Sequence, residues 1–423
     1  MQINPHAIAP LAQDFVTLWR SPDPQTVYGY TPGICRLESG RLLAVWEEGG
    51  PGTPHGYPNT HVAVSDDHGS TWREAGRFRM QHPRPFEAGG IPYVCGHCDP
   101  EADGCGALVI SSGDADAENW QPPALIAPGE WHQCASAPLY SGGHVYLAAE
   151  RRITHSITTW CPGELSPILM RAKTESNLSK ASSWSFSEPL SFRDAVARAE
   201  ESTSLDDFGV PFWPCPYPAG TFVSPGRDCA PAGWLEGNVV QMPPGHIWHD
   251  ASGHTFHIFL RAHTGGTGYA AILAIHENAG GTMTPRFVKV PSGKRALFLP
   301  CPVGHMRFHV IRDEASGLFW LLGSQPTDSM CPPDQLPPER YNLPNNERSR
   351  LVLYFSRNMV DWCFAGLVAK GGAPLETRHY ASMTIDGDDM AILSRSGDSM
   401  AASPHNGNLI TFHRIPGFRS LVY

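Results

Sequence analysis

Cys95-Gly-His-Cys98, with Cys105 close behind, stands apart from the other scattered cysteines. Two thiols separated by two residues have the spacing of a zinc knuckle or a redox pair. Only half of a usual four-ligand set is evident, so free thiols in a hairpin are favoured over a metal site. The 20 histidines offer a second chemistry, because imidazole titrates near neutral pH and can replace a carboxylic acid in proton transfer. His132, in "GEWHQCASAP", precedes one inner strand, and His55 and His61 flank another. Among so many, any single histidine is more often structural. His405-Asn406-Gly-Asn408 suits sugar hydroxyls, or an ordinary turn. None of these groups requires a cofactor.

Bulk properties narrow the partners. A net charge of −10 with no basic run argues against nucleic acid or an anionic membrane. No apolar stretch approaches the roughly 20 residues that span a bilayer. "MQINPHAIAPLAQDFVTLWR" lacks a basic region followed by an apolar core, so no signal peptide is expected. The 11 cysteines are then read as reduced thiols in a cytoplasmic protein.

The elements that must position any site are strands. The 423 residues include Gly 42 and Pro 40, a turn-dense composition. A loose unit recurs along them. "PGICRLESGRLLAVWEE" (32–48) leads to "THVAVSDDHGSTW" (60–72), and "IPYVCGHCDP" (91–100) leads to "ALVISSGDADAENW" (107–120). Comparable units start at 136, 236, 305 and 378. Alternating apolar residues and frequent turns imply an all-β fold with little helix. Six four-stranded units arranged radially make a β-propeller, a single domain over 1–423. Such a ring must close, and "FVTLWR" (15–20) is expected to pair with the last unit. Insertions at about 191–234 and 325–347 are expected to wall a central pocket, and leave room for a seventh blade.

"SDDHGSTW" (65–72) is a turn built as a clasp. Asp67 can bind turn amides, Gly69 can take a positive φ, and Trp72 can pack beneath the hairpin. The octet matches the Asp-box pattern S-x-D-x-G-x-T-W, and two worn copies fall in phase with the repeats. On these residues the chain resembles the sialidase (neuraminidase) superfamily along nearly its whole length.

That resemblance implies a set of site residues. "LEGNVVQMPPGHIWHDASGHTFHIFLRAHTG" is similar to the strand pair that carries a glutamate and an arginine, placing them at Glu236 and Arg261. "RSRLVLYFS" places a further arginine at Arg348, and "HYASMTIDGDDMAIL" places the tyrosine nucleophile at Tyr380 beside His379. The first family arginine falls where this chain reads Tyr30-Thr31-Pro32. The acid/base aspartate falls within "PHGYPNTHVAVS", which offers His55, Tyr57, Asn59 and His61 instead. Tyr380, Glu236, His132 and His379 are therefore the catalytic candidates. Arg261, Arg348, His61, Tyr30 and His263 are the substrate-binding ones. The implied activity is a glycoside hydrolase taking an acidic sugar from an oligosaccharide, with Glu236 activating Tyr380 and a histidine supplying the proton. A lyase or hydratase acting on a uronic acid or anhydro-sugar by His/Tyr chemistry is the first alternative. A non-catalytic glycan-binding propeller is the second.

Overall fold

Short alternating apolar runs punctuated by turns fold here into sheets with almost no helix, in a computed structural model that describes residues 8–57, 59–102, 105–157, 161–195, 205–206, 222–224, 227–228, 233–263, 268–327 and 347–423. The first sheet runs in chain order through Tyr28–Arg36, Leu42–Gly49, Thr60–Ser65 and Arg73–Phe78. An eight-stranded sheet follows, from Gln81–Ala88 to Ser185–Phe186. Its two arms are joined where Glu130–His132 pair with Glu150–Arg152. Another sheet is built on Gly233–Val240, Thr255–His263, Tyr269–Glu277 and Met283–Arg286. The next contains His309–Asp313, Leu318–Ser324, Arg350–Ser356 and Cys363–Lys370. The closing sheet contains Arg378–Asp386, Asp389–Ser396 and Leu409–Ile415, and its outer strand is Val16–Arg20 from the other end of the chain. Val16 pairs with Phe412 and Arg20 with Leu409, the closure expected from "FVTLWR". The architecture is an all-β propeller. Most of the two insertions expected to wall the pocket lies outside the described residues.

Apolar side chains fill the layers between sheets. Leu42, Ala44 and Trp46 of the first sheet pack on Leu393, Ile410 and Phe412 of the closing one. The two arms of the eight-stranded sheet also face each other, Phe86 and Ile110 lying in one cluster with Leu147 and Ile168. Burial on this scale stabilises by roughly 25 cal/mol per Å² of apolar surface removed from water, so the ring holds together mainly through these layers.

The leading strands of the sheets line the axis. Tyr28–Arg36 lies against both Gln81–Ala88 and Arg378–Asp386. They come close because small residues face one another: a Cβ on Gly33 would sit 2.5 Å from Pro85 Cδ and 2.9 Å from the Ala135 Cβ. Hydrogen bonds then stitch sheets far apart in sequence. Ser382 Oγ lies 2.8 Å from the Pro32 carbonyl and 2.9 Å from that of Ala135. Buried Arg307 donates to the Ala135 carbonyl at 2.7 Å, to Ser382 Oγ at 2.6 Å and to the Tyr380 carbonyl.

The turn at 65–72 lies between the third and fourth strands of the first sheet, away from the axis. Asp67 accepts from the Thr71 amide at 2.8 Å and the Thr71 hydroxyl at 2.6 Å, and these bonds hold its carboxyl at about 2. Gly69 has φ 88°, and Trp72 meets Phe412 edge-on at 5.4 Å. The clasp therefore docks the first sheet on the closing one. The turn ending at Trp120 repeats the scheme with Asp114 accepting the Glu118 amide at 2.8 Å.

The cysteine group separates in space. Cys95 packs among Phe86, Leu108 and Trp131, Cys98 lies against another apolar cluster with Val94 and Val109, and Cys105 packs on Leu165 and Leu235. All three lie on one hairpin, and no cluster that could hold a metal exists among the described residues.

Gly33→Ala is expected to destabilise the protein by about 1–3 kcal/mol, the cost of forcing a methyl into a packed interior. The midpoint of urea unfolding measures it, and an unchanged midpoint would mean that the sheets do not meet tightly at this point.

Candidate active site

Two places on the sheets supply the polar side chains near the axis: the beginnings of leading strands and the ends of the second strands paired with them. At the beginnings the ladder slips. Register shifts occur between Tyr30 and Gly33, Gln81 and Arg84, Leu235 and Asn238, and His379 and Ser382. Each slip contains a non-glycine residue in the left-handed region: Thr31 (φ 41°), His82 (50°), Glu236 (61°) and Tyr380 (46°). L-residues rarely adopt this conformation, and at a bulge it re-aims one side chain out of the strand's alternation. The paired strand ends place Glu47 opposite Tyr30, Glu150 opposite His132, Arg261 opposite Leu235 and Arg395 opposite His379.

Tyr380 is the centre of the resulting cluster. Its hydroxyl lies 2.9 Å from Arg261 Nη1 and 3.4 Å from Arg348 Nη2. The Arg348 guanidinium also sits over the ring, 4.6 Å from its centroid, and that of Arg395 lies 5.4 Å away. All three arginines are buried, whereas Tyr380 keeps partial exposure. Burial works to raise the phenol's pKa, but the charges of Arg261 and Arg348 outweigh it and hold the pKa below its ordinary value.

Glu236 approaches Tyr380 through Arg261, whose Nη1 donates to Glu236 Oε2 at 3.3 Å while also holding the phenol. The expected Glu236–Tyr380 pair is therefore bridged by a shared guanidinium. The same strand is tied to His132: His132 Nδ1 lies 2.8 Å from Glu150 Oε2, and Glu150 Oε1 accepts the Gly237 amide at 2.9 Å. His132 and Glu150 are both buried, so the carboxylate fixes the imidazole's orientation.

Tyr30 also joins the cluster. Arg395 stacks on its ring at 4.1 Å, and its hydroxyl donates to Asn406 Oδ1 at 3.0 Å. Arg395 thus reaches Tyr30 from the closing sheet. Burial, helped by repulsion from Arg348, lowers its pKa to about 10. His405 sits beside it, 3.2 Å from Nη2 through Nδ1.

Other expected residues have partners of their own. His379 is wholly buried, and its Nδ1 accepts from Arg348 Nη1 at 2.8 Å. Burial and the surrounding arginine charges push it well below its usual pKa. Its Nδ1 is taken up in orienting Arg348. His61 stacks on Trp46 at 4.9 Å, with Nε2 2.8 Å from Glu48 Oε1 and Nδ1 3.3 Å from Glu74 Oε2. These contacts occupy both nitrogens in the layer facing the closing sheet, away from Tyr380. The side chain of His263 lies outside the described residues. Asn408 is bonded to Asp398 at 2.8 Å and is structural. His55, Tyr57 and Asn59 line a separate cavity of about 450 Å³ with Arg79 and Gln81.

Sequence reasoning passed over Glu47, Glu150, Arg307 and Arg395. A usable signal was present for three of them: "LLAVWEE", "VYLAAERR" and "AILSRS" each end an apolar second strand on a charge. A charge terminating a fully buried strand has to find a partner or a function.

No family model and no curated protein sequence matches the chain. Solved structures do share its fold. An α-L-arabinanase from Penicillium chrysogenum complexed with arabinobiose aligns with a TM-score of 0.54 and 12% identity, over 98% of this chain and 100% of that one. An α-L-arabinofuranosidase from Fusarium graminearum with an iminosugar inhibitor aligns at 0.52 and 11%, over 96% and 98%. Trypanosoma rangeli sialidase with the inhibitor DANA aligns at 0.56 and 14%, over 98% of this chain and 61% of that one. At such identities the likeness concerns architecture: the chain shares the β-propeller fold of these proteins.

Proposed function

We propose that the protein is a glycoside hydrolase that removes an acidic, carboxylate-bearing sugar from an oligosaccharide. The observation that carries this reading is the phenol of Tyr380 held between Arg261 and Arg348 at 2.9 and 3.4 Å. A lowered pKa makes the phenol a readier nucleophile than an ordinary tyrosine. Tyr380 attacks the anomeric carbon, and Glu236, which shares the Arg261 Nη1 donor with the phenol, takes its proton. Arg261, Arg348 and Arg395 bind the substrate carboxylate, since a planar guanidinium can donate to both oxygens of an anion at once. Burying cations without full compensation costs several kcal/mol, and a bound anion offsets that cost. In this reading the blades number six, the eight-stranded sheet counting as two because an apolar layer separates its arms. Asp-box turns mark their outer corners.

The lyase alternative would use His379 as its base, and the engagement of its Nδ1 by Arg348 favours the hydrolase reading over it. A panel of 4-methylumbelliferyl glycosides of N-acetylneuraminic, glucuronic and galacturonic acids, with the α-L-arabinofuranoside as a neutral comparison, tests the reading. Release of fluorophore from an acidic member supports it. Cleavage of the arabinofuranoside alone removes the acidic-substrate claim, and an unsaturated product absorbing in the near ultraviolet establishes elimination instead.

Tyr380→Phe and Arg261→Ala are each expected to lower kcat/KM by at least about 10³-fold with circular dichroism unchanged. Wild-type rates in either variant would remove the proposed site. Ultraviolet titration checks the electrostatics separately. The wild-type minus Tyr380→Phe difference should show one phenol ionising below the ordinary value of about 10. Arg348→Ala should move that ionisation upward, because it removes a charge that favours phenolate.

A further inference from the structure

We propose that Glu47 is the proton donor of this site, protonating the departing glycosidic oxygen from the end of strand Leu42–Gly49. The assignment rests on the glycosidase reading above and replaces the histidine expected in that role.

Position comes first. Glu47 and Glu48 are adjacent on one strand and so face opposite ways. Glu48 is taken up by His61 Nε2 at 2.8 Å and Trp19 Nε1 at 2.9 Å, in the layer facing the closing sheet. Glu47 turns the other way and pairs in register with Tyr30, whose ring carries Arg395 at 4.1 Å. Arg395 in turn lies 5.4 Å from the Tyr380 ring, so the carboxyl belongs to the same cluster as the nucleophile.

Its hydrogen-bond partners are neutral donors, with the Arg395 charge acting on it without a direct ion pair. The His82 backbone amide donates to Oε2, the Thr31 hydroxyl also bonds the carboxyl, and His82 Nε2 lies 3.8 Å from Oε1. Thr31 and His82 are two of the left-handed residues, so the bulges bring these groups to Glu47. The groups facing it are Tyr30 from its own sheet, His82 from the neighbouring leading strand and Arg395 from the closing sheet. Among the described residues no arginine or lysine forms an ion pair with it, and its side chain is only 6% exposed. Burial therefore dominates, and the carboxyl pKa rises to about 8. His82 is held neutral by burial and by the adjacent His132 and His97, so it has no acidic proton to offer at neutral pH. Glu236, by contrast, faces Arg261. Two carboxyls in such unlike surroundings have the division expected of an acid and a base.

The step balances. As Tyr380 oxygen bonds to the anomeric carbon, its proton passes to Glu236. The bond from that carbon to the exocyclic oxygen breaks, its electron pair stays on the oxygen, and the oxygen takes the Glu47 proton to leave as an alcohol. Water then bonds to the anomeric carbon and returns a proton to Glu47. Tyr380 leaves with its electron pair and recovers its proton from Glu236.

The test uses the purified full chain with Glu47→Gln. It compares the 4-methylumbelliferyl and methyl glycosides of the sugar found active in the panel. Loss of the acid should lower kcat/KM on the methyl glycoside by roughly 10²–10⁴-fold and on the aryl glycoside by less than about tenfold, because a phenolic leaving group needs little protonation. The alkaline limb of the wild-type rate, falling as pH rises through about 8, should vanish in the variant. Equal losses on both substrates, or no loss, overturn the assignment while leaving the glycosidase reading intact. No turnover of any panel member by the wild type overturns both. The wild-type minus Glu47→Gln infrared difference spectrum gives a readout without substrate. It should contain a protonated carboxylic acid stretch at neutral pH that disappears above about 8, and an ionised carboxylate at neutral pH overturns the proposal.

Discussion

The cluster around Tyr380 depends on a local violation of strand geometry at the axis. A regular strand would send alternate side chains into the two flanking apolar layers and leave little at the hub except backbone. The slips at Thr31, His82, Glu236 and Tyr380 break that alternation at the beginnings of leading strands, each with a residue at positive φ. Such conformations cost of order 1–3 kcal/mol apiece and persist only when surrounding structure over-determines them. Here the surroundings do so through Ser382, Arg307 and the close approach at Gly33, which bind several sheets across the axis.

The charges at the hub follow from the same arrangement. Arg261, Arg348 and Arg395 are buried side by side, and repulsion between the last two is strong enough to help lower Arg395. Aromatic rings separate them: Tyr380 lies beneath Arg348 and Tyr30 beneath Arg395. The π faces and the phenol oxygen offset part of the cost of crowding cations in a low-dielectric interior. The positive field also explains why nearby histidines are neutral, since burial and arginine charge act on His379, His305 and His405 in one direction.

Two features expected of the sequence changed meaning in three dimensions. His61 and His379 each looked available beside a catalytic position, yet one is consumed by Glu48 and Glu74 and the other by Arg348. The gap at Tyr30-Thr31-Pro32 looked like the loss of an arginine. Arg395 reaches that neighbourhood from the strand paired with His379 and stacks on Tyr30. Pro32 and Pro83 were the available hints of bulges, since proline cannot donate to a ladder and is confined to edges and irregular points of a sheet.

Alternation and turn spacing by themselves determined the all-β propeller, the clasp at Asp67 and the closing strand at residues 15–20, because those features depend on contacts a few residues apart or on a repeated pattern. Resemblance in short strand motifs was enough to nominate Arg261, Arg348, Glu236 and Tyr380. Only the tertiary structure decided that these residues meet, that Arg261 stands between Glu236 and Tyr380, and that Glu47 faces the hub while Glu48 faces away. The reason is physical: which face a side chain occupies turns on a one-residue slip in a ladder, and which charge it meets depends on strands hundreds of positions distant. Neither quantity is written in local sequence.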